Sequence, residues 1–225
     1  MALTSGQVKA MIDGILSRYR SATSAPGPSL VPAALTAGKL YEAWILVTVL
    51  DQLRSAEGYS VLLRRGTKVT LKSSPGPINR GYPFFELTAP GRAPIEIWTD
   101  VEFTTLSFAR RPAVTPPRRC DYHELDILAV EAGTTGRPSH DKVLIGVECK
   151  NMKYTKDLLR AILGVRRELS LVRSPSRTSF RAWPRATVPA SPPSCLVAYC
   201  TDPDVVLYAD PQDMFGIDFI YEPLP

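Results

Sequence analysis

Apolar and polar positions alternate over residues 121–130, D-Y-H-E-L-D-I-L-A-V, and the stretch K-V-L-I-G-V-E-C-K at 142–150 is rich in apolar and β-branched residues. Both patterns predict strands. The polar insert between them, G-T-T-G-R-P-S-H-D, has turn chemistry that makes the two neighbours in an antiparallel hairpin. Period-two geometry puts Tyr122, Glu124, Asp126, Leu128 and Val130 on one side and His123, Leu125, Ile127 and Ala129 on the other. In the second strand Glu148 and Lys150 share a face, opposite Val147 and Cys149. The run Val143, Leu144, Ile145, Gly146, Val147 is too apolar for an edge, so this strand is expected to be central and buried.

The remaining pattern supplies the frame around that hairpin. Val8, Met11, Ile12, Ile15, Leu16 and Tyr19 fall at helical spacing behind a Thr4-to-Gln7 capping box. This first amphipathic helix packs on the body, with a dimer contact as the alternative. Residues 21–32, with three prolines and a glycine, read as a linker. The segment G-K-L-Y-E-A-W-I-L-V-T-V-L-D-Q-L-R at 38–54 is apolar on nearly every side and predicts a helix lying against a sheet. Short strands are expected at 59–65, 84–87 and 95–103, the last two joined by a hairpin connection at 89–94. Their acids Glu86, Glu96, Asp100 and Glu102 alternate with apolar residues, which suits a solvated sheet face; Asp100 and Glu102 are reserve candidates for a site.

After Lys150, a helix starting near Thr155 buries Leu158, Leu159, Ile162, Leu163, Val165, Leu169 and Val172. Strands follow at 194–200 and 205–208, and residues 217–221 add an edge strand. This order predicts an α/β fold with a mixed central β-sheet flanked by α-helices. The division is residues 1–34, an amphipathic helix and proline-rich linker, and residues 35–225, one domain.

Composition narrows the class. A chain of 225 residues with 44% hydrophobic content can bury one substantial core. Its formal net charge of +5 fits a polyanionic partner. Cys120, Cys149, Cys195 and Cys200 show no C-x-x-C spacing, and only His123 and His140 offer imidazole, which argues against a zinc module. No stretch approaches the ~20 apolar residues of a membrane span, so no membrane partner is expected. The N-terminus lacks a signal-peptide layout, and a soluble cytoplasmic protein with reduced thiols is predicted.

The chemistry gathers on the hairpin. An acid and a lysine near the end of a buried strand are costly without a partner or a role. Asp126 on the neighbouring strand supplies a partner. Two carboxylates beside one ammonium suit a hard cation, and oxygen ligands from Asp126 and Glu148 fit Mg2+, with Mn2+ as a substitute. Lys150 then orients an attacking water or neutralises charge developing on phosphorus.

The pattern Glu124-Leu125-Asp126-Ile127-Leu128, a gap, then Gly146-Val147-Glu148-Cys149-Lys150-Asn151 resembles the PD-(D/E)xK nuclease superfamily, with its restriction endonucleases and archaeal-type Holliday-junction resolvases. Leu125 stands where the named motif has proline. The resemblance implies a restriction-endonuclease-like fold and Mg2+-dependent hydrolysis of phosphodiester bonds in DNA, in restriction, antiviral defence or repair. It assigns Asp126, Glu148 and Lys150 as catalytic, with Asp126, Glu148 and the Cys149 backbone carbonyl on the metal. Glu42 matches the further acid that the helix ahead of the catalytic strands often supplies; the bland alternative is an acid favoured by the helix dipole.

Basic residues around the hairpin are candidates for a phosphate backbone: Lys39, Arg118 and Arg119 before it, Asn151, Lys153, Lys156, Arg160, Arg166 and Arg167 after it. Further arginines, Arg173, Arg177, Arg181 and Arg185, are interleaved with Phe180 and Trp183, a composition suited to gripping nucleic acid. Two other classes share these features: an inactive nucleic-acid-binding module of the same fold, and an interaction subunit whose basic arm meets an acidic partner. The resemblance also implies a homodimer as an alternative state, because many nucleases of this type cut two strands as pairs.

Overall fold

Thr4 starts the first helix by reciprocal capping, its Oγ1 accepting from the Gln7 amide at 3.3 Å while Gln7 Oε1 accepts from the Thr4 amide at 2.8 Å. In the computed structural model, which describes residues 3–20, 30–32, 34–65, 68–72, 74–111, 115–172, 180, 183, 190–210 and 212–225, that helix is α1, Ser5–Ser17. In chain order there follow α2 (Ala37–Ser55), β1 (Ser60–Arg64), β2 (Phe84–Thr88), β3 (Ile95–Thr104), α3 (Leu106–Ala109), β4 (Tyr122–Glu131) and β5 (Val143–Lys150). The chain continues with α4 (Lys156–Leu169), β6 (Leu171–Val172), β7 (Ala190–Ser191), β8 (Cys195–Cys200), α5 (Gln212–Phe215) and β9 (Ile217–Tyr221).

The architecture is α/β, a mixed seven-stranded sheet in the order β1-β2-β3-β4-β5-β8-β9 with helices flanking it. Strands β1 to β5 form an antiparallel series. The connection from β5 through α4 then brings β8 back parallel to β5, and β9 is parallel to β8. Parallel neighbours need such long crossovers, whereas antiparallel ones accept the short turns seen earlier in the chain. β5 therefore has a partner on each side, as its apolar run requires.

Two apolar layers sandwich this sheet. One gathers α1 and α2 against Ile97, Ile127, Ala129, Ile145, Val147 and Val197. The other packs Ile162 and Leu169 of α4 with Trp98, Leu128, Val130, Leu196 and Phe219. The alternation read along β4 accounts for this split: Ile127 and Ala129 enter the first layer, Leu128 and Val130 the second. Leu125 departs from it, joining the second layer, where it packs on Gly146; a Cβ there would lie 2.8 Å from Leu125 Cδ1. α1 buries Val8, Ile12 and Leu16 within the first layer, which is the packing role, while Met11 of the same stripe is exposed. The predicted linker falls largely on residues 21–29, outside the described residues.

Three expectations change. Residues 205–208 are not a strand but part of a 3-10 helix, Pro203–Tyr208, where Asp202 accepts from the Asp204 amide and proline occupies the first turn. Glu96 does not face solvent: it is 2% exposed and takes both guanidinium nitrogens of Arg80 at 2.8 and 2.9 Å. Trp98 Nε1 and the Gly133 amide complete its hydrogen bonds, so the buried charge is fully partnered. Phe180 and Trp183 are not surface stacking platforms but members of the first apolar layer. Arg173, Arg177, Arg181 and Arg185 lie outside the described residues. Among the described residues, no helix is long and apolar enough to cross a membrane.

Candidate active site

The site forms where β3, β4 and β5 meet the first turn of α2. Thr36 caps that helix by accepting from the Lys39 amide at 3.2 Å, which fixes the first turn with Lys39; Glu42 lies one turn further along, so it is not an acid placed in the first turn for the helix dipole. The β4–β5 ladder pairs Ile127 with Val147 as its last register partners toward this end. Beyond that pair, Asp126 Oδ2 accepts from the Cys149 amide at 2.7 Å. The carboxylate thus takes a backbone donor of the next strand and is tied to the segment bearing Glu148 and Lys150.

Lys150 Nζ lies 2.6 Å from Glu148 Oε2 and 3.8 Å from Asp126 Oδ2. Asp126, Glu148 and Lys150 are thereby brought together. Lys39 forms a second such bridge, with Nζ 2.6 Å from Glu42 Oε2 and 2.5 Å from Asp100 Oδ1. Glu42, Asp100 and Asp126 each offer an oxygen within 4.8 Å of the others, so the closest acidic group combines Asp126 with two acids from outside the hairpin. Glu148 joins it through Lys150.

Asp100 belongs to this site and not to a solvated sheet face. It is 1% exposed, has φ 53°, and lies between the β3–β4 register partners Thr99–Ile127 and Val101–Leu125. Its Oδ2 accepts from the Lys72 amide at 2.8 Å and its own carbonyl accepts from Lys72 Nζ at 3.2 Å. Aspartate is among the few residues that tolerate left-handed backbone, at a cost of about 1–3 kcal/mol. Alternation along β3 gave no hint of this turn; the signal available was only an acid in an otherwise buried run.

Burial governs the protonation chemistry. Burial raises the Glu42 pKa to about 7, against the lowering effect of Lys39. Burial likewise pushes Asp126 and Glu148 up, with Lys150 opposing the rise. For Lys150 burial works downward, but Glu148 and Asp126 outweigh it and the ammonium is stabilised. Lys39 shows the same balance, burial being outweighed by its bonds to Asp100 and Glu42. Both lysines are therefore cations at neutral pH. A cleft of about 500 Å³ opens over Asp126, Glu148 and Lys150, with Glu102, Arg119 and Glu124 on its walls.

The basic candidates separate. Arg118 and Arg119 are exposed, on a loop anchored by buried Asp121, which accepts from the Arg118 amide at 2.6 Å and is ion-paired with Arg111. Arg119 reaches the cleft wall. Asn151, Lys153, Lys156 and Arg167 are exposed, as is Arg160, which pairs with Asp157 at 2.8 Å. Asn151 accepts from Thr201 Oγ1 at 3.2 Å. Arg166 is different: only 2% exposed, it donates to the Phe215 carbonyl at 2.7 Å and Ser194 Oγ at 2.9 Å, inside the fold. Its partners, the Phe215 carbonyl and Ser194, turn it inward and remove it from any phosphate-facing surface, while Arg167 of the same last turn stays exposed. Lys39 is held by acids within the site and not spread on the outer surface. Comparison with protein-family models, with curated proteins and with solved structures returns no match.

Proposed function

We propose that the protein is a Mg2+-dependent endonuclease that hydrolyses phosphodiester bonds of DNA, with a restriction-endonuclease-like fold and the PD-(D/E)xK arrangement of catalytic residues. The observation carrying this reading is the meeting of Asp126, Glu148 and Lys150 at one open cleft, with Lys150 Nζ 2.6 Å from one carboxylate and 3.8 Å from the other. The order α2, then antiparallel β3, β4 and β5, then α4, then β8 parallel to β5 supports it, because it is the element order that the sequence resemblance implies.

The donor set fits a hard cation. Asp126 and Glu148 offer carboxylate oxygens, Cys149 between Glu148 and Lys150 offers a backbone carbonyl, and Mg2+ prefers oxygen ligands while keeping several waters. Bound there, the ion supplies Lewis-acid activation of the phosphodiester and of the attacking water. The protein's own groups do the rest. Asp126 is held by the Cys149 amide, so its second oxygen is fixed relative to Glu148. Lys150 presents an ammonium to the cleft, where it stabilises negative charge that grows on the phosphoryl oxygens in the transition state. Glu42 acts from behind, through Lys39. Arg118, Arg119, Asn151, Lys153, Lys156, Arg160 and Arg167 are exposed and can meet the phosphate backbone; salt then weakens binding.

The test is cleavage of supercoiled plasmid with Mg2+ or Mn2+, with and without EDTA, by wild type, Asp126→Ala and Lys150→Ala. Cutting that needs the metal and is lost in both variants while DNA binding persists supports the proposal. Absence of cutting by wild type on DNA and RNA alike contradicts it and favours a binding module.

A further inference from the structure

Asp100 Oδ1 and Glu42 Oε2 share one ammonium, that of Lys39, at 2.5 and 2.6 Å. Together with Asp126 these acids have the look of a second divalent site. The donor inventory says otherwise. Asp100 already has a proton donor on each oxygen, Lys39 Nζ on Oδ1 and the Lys72 amide on Oδ2. Lys72 also holds the Asp100 carbonyl, so the acid is locked in its left-handed conformation with its carboxylate turned to Lys39.

Lys39 itself is delivered from a rigid place. Its backbone amide is the one that donates to the Thr36 cap, and Glu42 stands one turn further along α2. A second divalent ion between Glu42 and Asp100 would have to displace this ammonium. It would then sit within a few ångströms of it, and two cations so close in a partly buried site repel strongly. A lysine ammonium is compact and monovalent, and it keeps its charge here because the acids outweigh burial.

We propose that Lys39 is the built-in second cation of the site: it occupies the seat between Glu42 and Asp100 that a second divalent ion would otherwise take. The chain then binds one divalent ion, through Asp126 and Glu148, and Asp100 is the positioning residue that aims Lys39. This rests on the proposed reading of Asp126, Glu148 and Lys150 as a metal-dependent phosphodiesterase centre. Removing Lys39 takes a positive charge from between Glu42 and Asp100, which favours a divalent ion in its place.

The experiment is calorimetric titration of the full chain with Mn2+ in the absence of nucleic acid. Wild type and Lys39→Arg are expected to bind one ion each, and Lys39→Met two, the second lost again in Lys39→Met with Asp100→Asn. Asp126→Asn is expected to lose the single ion of the wild type. Two ions in the wild type overturn the inference, and so does one ion in a Lys39→Met protein whose melting curve shows it folded. Should Lys39→Met fail to fold, Lys39→Gln is titrated with the same expected gain. Failure of the wild type to bind Mn2+, or retention of its ion by Asp126→Asn, counts against the underlying reading of the site and takes the inference with it, whereas equal binding of one ion by wild type and Lys39→Met counts against Lys39 alone.

Discussion

Asp100 and Asp126 lie side by side on neighbouring strands because the β3–β4 ladder pairs Thr99 with Ile127 and Val101 with Leu125 and leaves these two between. Like charges directly opposite on a sheet are destabilising. Here each has an ammonium of its own, Lys39 for Asp100 at 2.5 Å and Lys150 for Asp126 at 3.8 Å. The pairing converts a repulsive contact into a cation-binding end of the sheet.

Asp100→Asn keeps a residue that tolerates φ 53° and retains an acceptor for the Lys72 amide, but gives up the ion pair with Lys39. Loss of such an orienting partner typically lowers metal affinity or activity about 10–100-fold. The expected outcome is a fall of that size in Mg2+-dependent cleavage with an unchanged circular dichroism spectrum, measured side by side with wild type.

The metal-free protein should be more stable at mildly acidic than at mildly alkaline pH. Glu42 has its pKa raised by burial to about 7, and Asp126 and Glu148 shift the same way, so between the ordinary carboxylate range and about pH 7 the folded state holds more protons than the unfolded one. A raised folded pKa contributes stability that is fully present below the unfolded pKa and is lost as pH rises through the folded one. Glu42 alone corresponds to roughly 3 kcal/mol across that window. Glu96, held down by Arg80 and its other donors against the effect of burial, acts oppositely and only at more acidic pH. Melting temperatures in EDTA should therefore rise from pH 8 toward pH 5.5, and Mg2+ at pH 8 should recover much of the difference; a flat profile would contradict the burial of these carboxylates.

Substitutions of basic residues should sort by exposure. Arg119→Ala and Lys153→Ala, at exposed positions, are expected to weaken DNA binding and each to reduce the salt-dependence slope by about 1. Arg166→Met removes a guanidinium bonded to the Phe215 carbonyl and Ser194, so it should change the melting temperature and leave the salt slope of DNA binding as it was. Fluorescence anisotropy over a range of salt concentrations separates the two behaviours.

Gly146→Val should destabilise the fold by about 1–3 kcal/mol through overpacking. A Cβ at this position meets both Leu125 methyls at 2.8 and 3.0 Å and a Leu196 methyl at 3.3 Å. Urea denaturation measures the loss, and Leu125→Ala in the same background should recover part of it.

The hairpin was legible because period-two alternation and a polar insert are local signals, and its register carries Asp126, Glu148 and Lys150 to one end without further help. Glu42 was legible as an acid in the apolar first half of its helix, and the capping box named the start of α1 correctly. Asp100 was legible only as a reserve candidate, since its role depends on a left-handed backbone and on Lys39 and Lys72, 61 and 28 residues away. Glu96 was misjudged for the same reason, its partner Arg80 coming from a proline-rich loop. At residues 205–208 the β-branched pair outweighed a helix-start signal that was present, Asp202 followed by Pro203. The burial of Arg166 was invisible because α4 is basic around much of its circumference, and only the packing of Phe215 and Ser194 selects which arginine turns inward.

The most direct measurement is the single-turnover rate of plasmid cleavage at saturating Mg2+ for wild type and Lys150→Met, with DNA affinity determined in parallel. Removal of a preorganised cation at the reacting phosphate predicts a rate lower by about 10²–10³-fold with affinity nearly unchanged. Equal rates for the two proteins, or no divalent-dependent cleavage by the wild type, would contradict the account.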